Sequence, residues 1–145
     1  MIRRFRDEDL DAVLGVWERS ARDAYQFLDE AFFAEEATEI QQTYMPTAET
    51  WVAEVDGLVA GFIALLDHEV GGFFVDPSMQ GSGIGRELMD HARGLKGTLE
   101  LSVFEKNALG RRFYKRYGFE AVGEEIEERT GERELRLRLP AGTTS

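Results

Sequence analysis

Residues 80–86 read Gln-Gly-Ser-Gly-Ile-Gly-Arg, three glycines in seven positions. An apolar run, Val70–Val75, precedes them. Ile84, Leu88, Met89, Ala92 and Leu95 follow at helical spacing. Glycine in a regular element costs roughly 0.5–1 kcal/mol relative to alanine, so a helix that opens this way needs a reason. Gly97 stops the helix, and Thr98–Val103 reads as the next strand. Strand, tight turn, helix and strand make a crossover unit, whose two strands should be parallel and whose connection should be right-handed. That unit restricts the fold to a sheet with helices packed on its faces.

The rest of the chain fits around it. A short strand is expected near Ile2–Arg6. Asp7 or Asp9 can cap a helix carrying Leu10, Val13, Leu14 and Trp17 at i, i+3, i+4 and i+7. A second helix is expected over Glu30–Thr43. Thr50–Val55 and Leu58–Leu66 flank Asp56-Gly57, a strong hairpin signal. Asn107 is placed to cap a helix with Leu109, Phe113 and Tyr117, and Gly118 ends it. Phe119–Glu125 and Glu132–Leu139 form a final antiparallel pair, the second alternating strictly. The predicted order is β-α-α-β-β-β-α-β-α-β-β, an α/β (α+β) domain over residues 1–140 with a flexible tail at 141–145.

Charge narrows the function classes. The 145 residues carry 17 Lys and Arg against 28 Asp and Glu, net −11. A nucleic-acid partner calls for a basic face, so none is expected. No apolar run approaches a membrane span and no signal segment is visible, so the reading is a soluble, cytoplasmic protein without a membrane partner. The absence of cysteine removes thiolate metal sites and cysteine nucleophiles, and no metal is expected.

A strand-to-helix turn exposes amides that have no intrahelical partner and carry the positive end of the helix dipole. Glycines keep them uncovered, which makes an anion site suited to phosphate. The dinucleotide fingerprint does not fit, because Gly85 falls one place early. The P-loop does not fit either, since no Gly-Lys-Ser/Thr occurs. The stretch Phe74-Val75-Asp76-Pro77-Ser78-Met79-Gln80-Gly81-Ser82-Gly83-Ile84-Gly85-Arg86-Glu87-Leu88-Met89 resembles motif A of the GNAT N-acetyltransferase superfamily. Downstream, Asn107-Ala108-Leu109-Gly110-Arg111-Arg112-Phe113-Tyr114-Lys115-Arg116-Tyr117-Gly118-Phe119 resembles the family's second signature, with Gly110 where alanine is usual.

The resemblance implies a mixed sheet of about seven strands flanked by about four helices, with two parallel central strands splaying apart. It implies acetyl-coenzyme A as co-substrate. Its pyrophosphate would lie on Gln80, Gly81, Ser82, Gly83, Ile84, Gly85 and Arg86. Its pantetheine arm would be held by backbone groups of Phe74 and Val75, by Asn107, and beside Phe113 and Tyr114. Members of the family are often homodimers, although nothing in this chain marks an interface.

Acetyl transfer to an amine by direct attack, through a tetrahedral intermediate, needs three things. The leaving thiolate needs a proton, the oxyanion a donor, and the ammonium a base, because an alkylamine has a pKa near ~10. Tyr114, at the family's tyrosine position, is the candidate acid. The Val75 N–H is the candidate oxyanion donor. Glu69 is the candidate base, with His68 or a water chain as alternatives; alternation lets only one of the two side chains face the cleft. Tyr117 and His91 are expected to be packing and exposed residues, respectively. Tyr25, Phe27 and Glu69 are candidates for acceptor binding. The run Glu124–Glu128 reads first as a solvated loop and second as an attractor for a cationic amine. The function so read is N-acetyl transfer to a primary amine of a small molecule or protein. A non-catalytic coenzyme A-binding sensor or scaffold is the alternative, and Tyr114 argues against it.

Overall fold

A computed structural model describes residues 1–140; the tail expected at 141–145 lies outside the described residues. The strands are β1 (Ile2–Arg4), β2 (Glu49–Val55), β3 (Leu58–Leu66), β4 (Glu69–Val75), β5 (Leu99–Phe104), β6 (Glu120–Ile126) and β7 (Arg133–Leu139). The helices are α1 (Leu10–Ala24), α2 (Glu30–Glu39), α3 (Ile84–Lys96) and α4 (Ala108–Tyr117). One seven-stranded sheet has the order β1-β2-β3-β4-β5-β7-β6. β4 and β5 are parallel, as the crossover requires, and every other pair is antiparallel.

Alternating side chains give the sheet two apolar faces. Ile63, Leu65, Leu99 and Leu101 pack on one face under Leu88, Met89 and Ala92 of α3 and beside Phe113 and Tyr114 of α4. Phe62 and Phe104 pack on the other under Val13, Val16 and Trp17 of α1 and Phe32 and Phe33 of α2. No helix among the described residues is long and apolar enough to cross a membrane.

Three local expectations are corrected. The second helix stops at Glu39, and the chain goes on as one π-helical turn over Ile40–Tyr44. Asp9 does not cap α1 with its side chain; it accepts from the Arg6 N–H at 2.8 Å and from Arg3 at 2.8 and 2.9 Å. His91 is not exposed: its ring lies 4.2 Å from that of Trp51, with Nε2 buried and unpartnered.

The central feature is where β4 and β5 part. Their register holds only at Glu69↔Glu100, supported by the Glu100 N–H donating to the His68 carbonyl. Beyond it β5 stays paired with β7 along its whole length, and β4 stays paired with β3. Between Val70 and Gly72 the β3–β4 register slips by one, leaving Gly71 as the extra residue of a bulge. Bulges bend the strand that carries them, and this one sits where the fork opens.

Candidate active site

The bulge decides which backbone groups face the fork. The Asp76 N–H donates to the Ala60 carbonyl, so the pairs Phe74↔Phe62 and Gly72↔Ala64 are the hydrogen-bonded ones. The N–H and C=O groups of Phe73 and Val75 therefore point into the fork. This corrects the expectation for Phe74, whose backbone is turned toward β3 while its ring enters the opposite face. The Val75 carbonyl accepts from the Ser20 hydroxyl at 2.8 Å and from the Gln80 side-chain amide at 3.2 Å. The Val75 N–H is left facing the opening.

At the mouth of the fork stands the glycine turn. Gly81 and Gly83 have φ of 85° and 92°, and a Cβ on either would meet no atom within 4 Å. Gly83 is the N-cap of α3 and supplies no side-chain cap, so the first-turn amides of Ile84, Gly85 and Arg86 remain bare. Gly85 serves packing instead. A Cβ there would come within 3.3 Å of Phe113 and 3.4 Å of Phe73, so its absence lets α3 sit close to α4. Ser82 turns its hydroxyl to the Met79 carbonyl. Arg86 is exposed, 4.0 Å from Asp90. Asp76 holds the strand end in place, accepting from Ser78 and pairing with Arg19 of α1 at 2.6 Å. This turn fits a diphosphate: two positive-φ glycines open onto space, and uncovered amides lie at a helix N-terminus.

On the α3/α4 face, Tyr114 packs against Phe73 (6.1 Å between centroids), Phe113 (5.7 Å) and Phe119 (5.5 Å). Burial pushes its pKa well above the usual phenol range, and the Tyr25 phenol pushes it further. The hydroxyl therefore stays protonated. Tyr117 packs in the same cluster and donates to Asp90. Asn107 is buried and caps α4, accepting from the Gly110 N–H at 3.0 Å. Gly110 is tied to that cap, since a Cβ there would lie 2.6 Å from Asn107 Nδ2.

On the α1/α2 face the fork opens into a cavity of about 310 Å³. Its aromatic wall includes Trp17, Tyr25, Phe32, Phe62, Phe74 and Phe104. Phe27 is not on that wall; it lies behind it, 5.5 Å from Phe104, with Lys106 over its ring. Tyr44, from the π turn, reaches over the bulge and places its hydroxyl where a Cβ of Gly71 would stand. Burial, with Glu69 and Glu36 nearby, pushes its pKa up to about 12.

Four carboxylates line the cavity: Glu36, Glu69, Glu127 and Glu134. Glu69 receives two hydrogen bonds from Arg136, at 2.8 and 3.0 Å, at the closed end of the fork. His68 turns away and places Nδ1 3.3 Å from the Thr98 carbonyl. Glu36 pairs with Arg129 at 2.6 Å, and Glu127 pairs with the same arginine at 3.3 Å, tying the β6–β7 loop to α2. The acidic run 124–128 is thus partly neutralised from within, Glu124 pairing with Arg133. Sequence reasoning missed Tyr44, Arg136 and Glu134. The pair Gly71-Gly72 was the available signal for Tyr44, as a gap waiting to be filled.

Residues 46–121 match the family model described as an acetyltransferase (GNAT) domain. The chain is 36% identical over 123 residues to the peptidyl-lysine N-acetyltransferase YjaB of Salmonella typhimurium, covering 84% of each protein. The solution structure of apo-form YjaB from Escherichia coli superposes with a TM-score of 0.87 at 28% identity, over 98% of both chains. A PaiA N-acetyltransferase from Thermoplasma acidophilum, crystallised with coenzyme A, gives a TM-score of 0.74 at 19% identity over 97% of this chain and 98% of that one, a likeness of fold.

Proposed function

The chain belongs to the GNAT family of acetyltransferases, and from that premise we propose that it moves the acetyl group of acetyl-coenzyme A to the ε-amine of a lysine in a protein or peptide. The observation that carries this reading is the two-sided fork. Bare amides and a protonated tyrosine lie toward one face, and an aromatic, carboxylate-bearing cavity lies on the other. The acetyl thioester supplies the electrophile. The turn at Gly81–Arg86 would hold the diphosphate. The Val75 backbone, at the mouth, would hold the arm. The Phe73 N–H faces the fork two residues deeper, on the residue whose ring packs 6.1 Å from that of Tyr114, and would donate to the oxyanion. Tyr114 would protonate the departing sulfur; its raised pKa keeps the proton available at neutral pH. Both oxygens of Glu69 are engaged by Arg136, which leaves neither free to meet the acceptor.

The aliphatic stem of a lysine suits the aromatic wall, and its ammonium suits the carboxylates. The likeness to peptidyl-lysine N-acetyltransferases supports the same acceptor. The test is thiol release, with mass spectrometry of the acceptor, using an N-terminally blocked peptide that carries one lysine. Acetylation at the lysine is expected. Bound acetyl-coenzyme A without thiol release would refute the activity, and acetylation of free α-amines alone would refute the acceptor.

A further inference from the structure

Three of the four cavity carboxylates have an arginine partner within 4 Å: Glu36 and Glu127 share Arg129, and Glu69 has Arg136. Glu134 has no ion-pair or side-chain hydrogen-bond partner among the described residues; Arg129 and Arg136 act on it only at longer range. It stands on β7 opposite Phe104, the last residue of β5 and part of the cavity's aromatic wall. Arg136, two residues along the same strand, turns to Glu69 and Glu100. The one unpaired carboxylate of the cavity therefore lies at the open end of the fork, away from the closed end where Glu69 is held.

We propose that Glu134 binds the ammonium of the acceptor lysine and takes the proton that the nitrogen must lose before it attacks. This rests on the acetyltransferase reading above. In that step one N–H bond of the ammonium breaks and an O–H bond forms on Glu134. The freed lone pair forms the C–N bond while the carbonyl π pair moves to oxygen, and collapse of that tetrahedral oxyanion breaks the C–S bond. Tyr114 gives its proton to the departing sulfur, the nitrogen's second proton returns to the Tyr114 phenolate, and the proton on Glu134 leaves to solvent.

Two further observations agree with the assignment. Burial, with Glu125 and Glu127 beside it and against the longer-range pull of Arg129 and Arg136, raises the Glu134 pKa above the usual carboxylate range, which makes the group a stronger base. Glu134 also stands opposite Phe104, whose ring lies 5.3 Å from that of Tyr25 on the wall of the same cavity. A cation entering the cavity finds Glu134 free, while the other carboxylates would have to give up an arginine.

The experiment compares the wild type with Glu134→Gln, which keeps the side chain's shape. The probes are an N-terminally blocked single-lysine peptide and its norleucine counterpart. Peptide binding to the coenzyme A complex is followed by calorimetry, separately from turnover. Calorimetry with acetyl-coenzyme A and a melting curve check that the variant is folded. The wild type should prefer lysine to norleucine, and Glu134→Gln should lose that preference. Its kcat/KM for the lysine peptide should fall about ten- to hundredfold, with acetyl-coenzyme A affinity unchanged. Equal lysine binding and turnover in the two proteins would overturn the proposal. Wild type that binds the lysine peptide through Glu134 but never acetylates it would retain the ammonium site and overturn the acetyltransferase reading. Wild type that neither binds nor acetylates the lysine peptide would overturn both.

Discussion

Substituting Gly71 by alanine separates the bulge from what sits over it. Gly71 does not have positive φ, so alanine can adopt its backbone conformation. The whole penalty comes from the new methyl, which would coincide with the Tyr44 hydroxyl and lie 2.8 Å from Cε1 of the same ring. The atoms in the way are the far end of one side chain, so the phenol swings out and the fold survives. Overpacking of this kind costs about 1–3 kcal/mol. The smaller entropy of an alanine-containing unfolded chain returns about 0.4–1 kcal/mol. The net destabilisation is then about 1–2 kcal/mol, a Tm drop of roughly 3–6 °C for a domain of this size. A double-mutant cycle tests the cause. In a Tyr44→Ala background, Gly71→Ala should be neutral or stabilising. With Tyr44 displaced from the cavity wall, KM for the lysine peptide should rise while acetyl-coenzyme A affinity holds. An equal cost of Gly71→Ala with and without Tyr44 would refute the reasoning.

Tyr114→Phe should lower kcat by about 10²–10⁴ with acetyl-coenzyme A affinity intact by calorimetry; unchanged kcat would remove the phenol from the chemistry. Gly83→Ala meets no neighbour but must hold φ near 92°, so it should cost about 1–3 kcal/mol in strain and weaken acetyl-coenzyme A about tenfold, measured by melting and calorimetry. Arg3 holds the Asp9 carboxyl below its ordinary 3.8, so Asp9→Asn should destabilise at neutral pH, with the difference fading in melts below 3.8 as the wild-type carboxylate is protonated. Glu134 has the opposite sign. Its raised pKa, in the company of Tyr25, Glu36, Glu125, Glu127, Arg129 and Arg136, means that its charge opposes folding, so Glu134→Gln should raise Tm at neutral pH and lose that gain as pH falls to the ordinary 4.5.

Local pattern and short-range spacing made most of the elements legible. The glycine turn, the α3 stripe, the Asp56-Gly57 hairpin and the Asn107 cap are all written within a dozen residues, and each stands where its residues put it. The fork between β4 and β5 was legible through family resemblance. Which backbone groups face it was not, because one extra residue at Gly71 reverses the alternation for everything after it. The cavity was the least legible part. Glu134 and Arg136 are two polar positions of a strictly alternating strand, indistinguishable in sequence from solvated ones. They reach the site only because β7 inserts between β5 and β6, a pairing that no local signal announces. Phe27 differs for the converse reason: Tyr25 and Phe27, two aromatics close in sequence, look alike until packing decides which lines the wall and which supports it.

The distribution of arginines explains why the site sits where it does on an acidic chain. A carboxylate half-withdrawn from water is destabilising unless a cation compensates it. This cavity compensates three of its four: Arg129 serves Glu36 and Glu127, and Arg136 serves Glu69. Those pairs also have a mechanical role, joining the β6–β7 loop to α2 and closing the narrow end of the fork. Leaving Glu134 without a direct ion-pair partner then has a stability cost with no structural return. Such costs gather at sites where a ligand supplies the missing partner. A bound lysine ammonium would supply it, and acetylation would remove the charge and with it the attraction. Glu134 would thus favour the amine before reaction and release the amide after it.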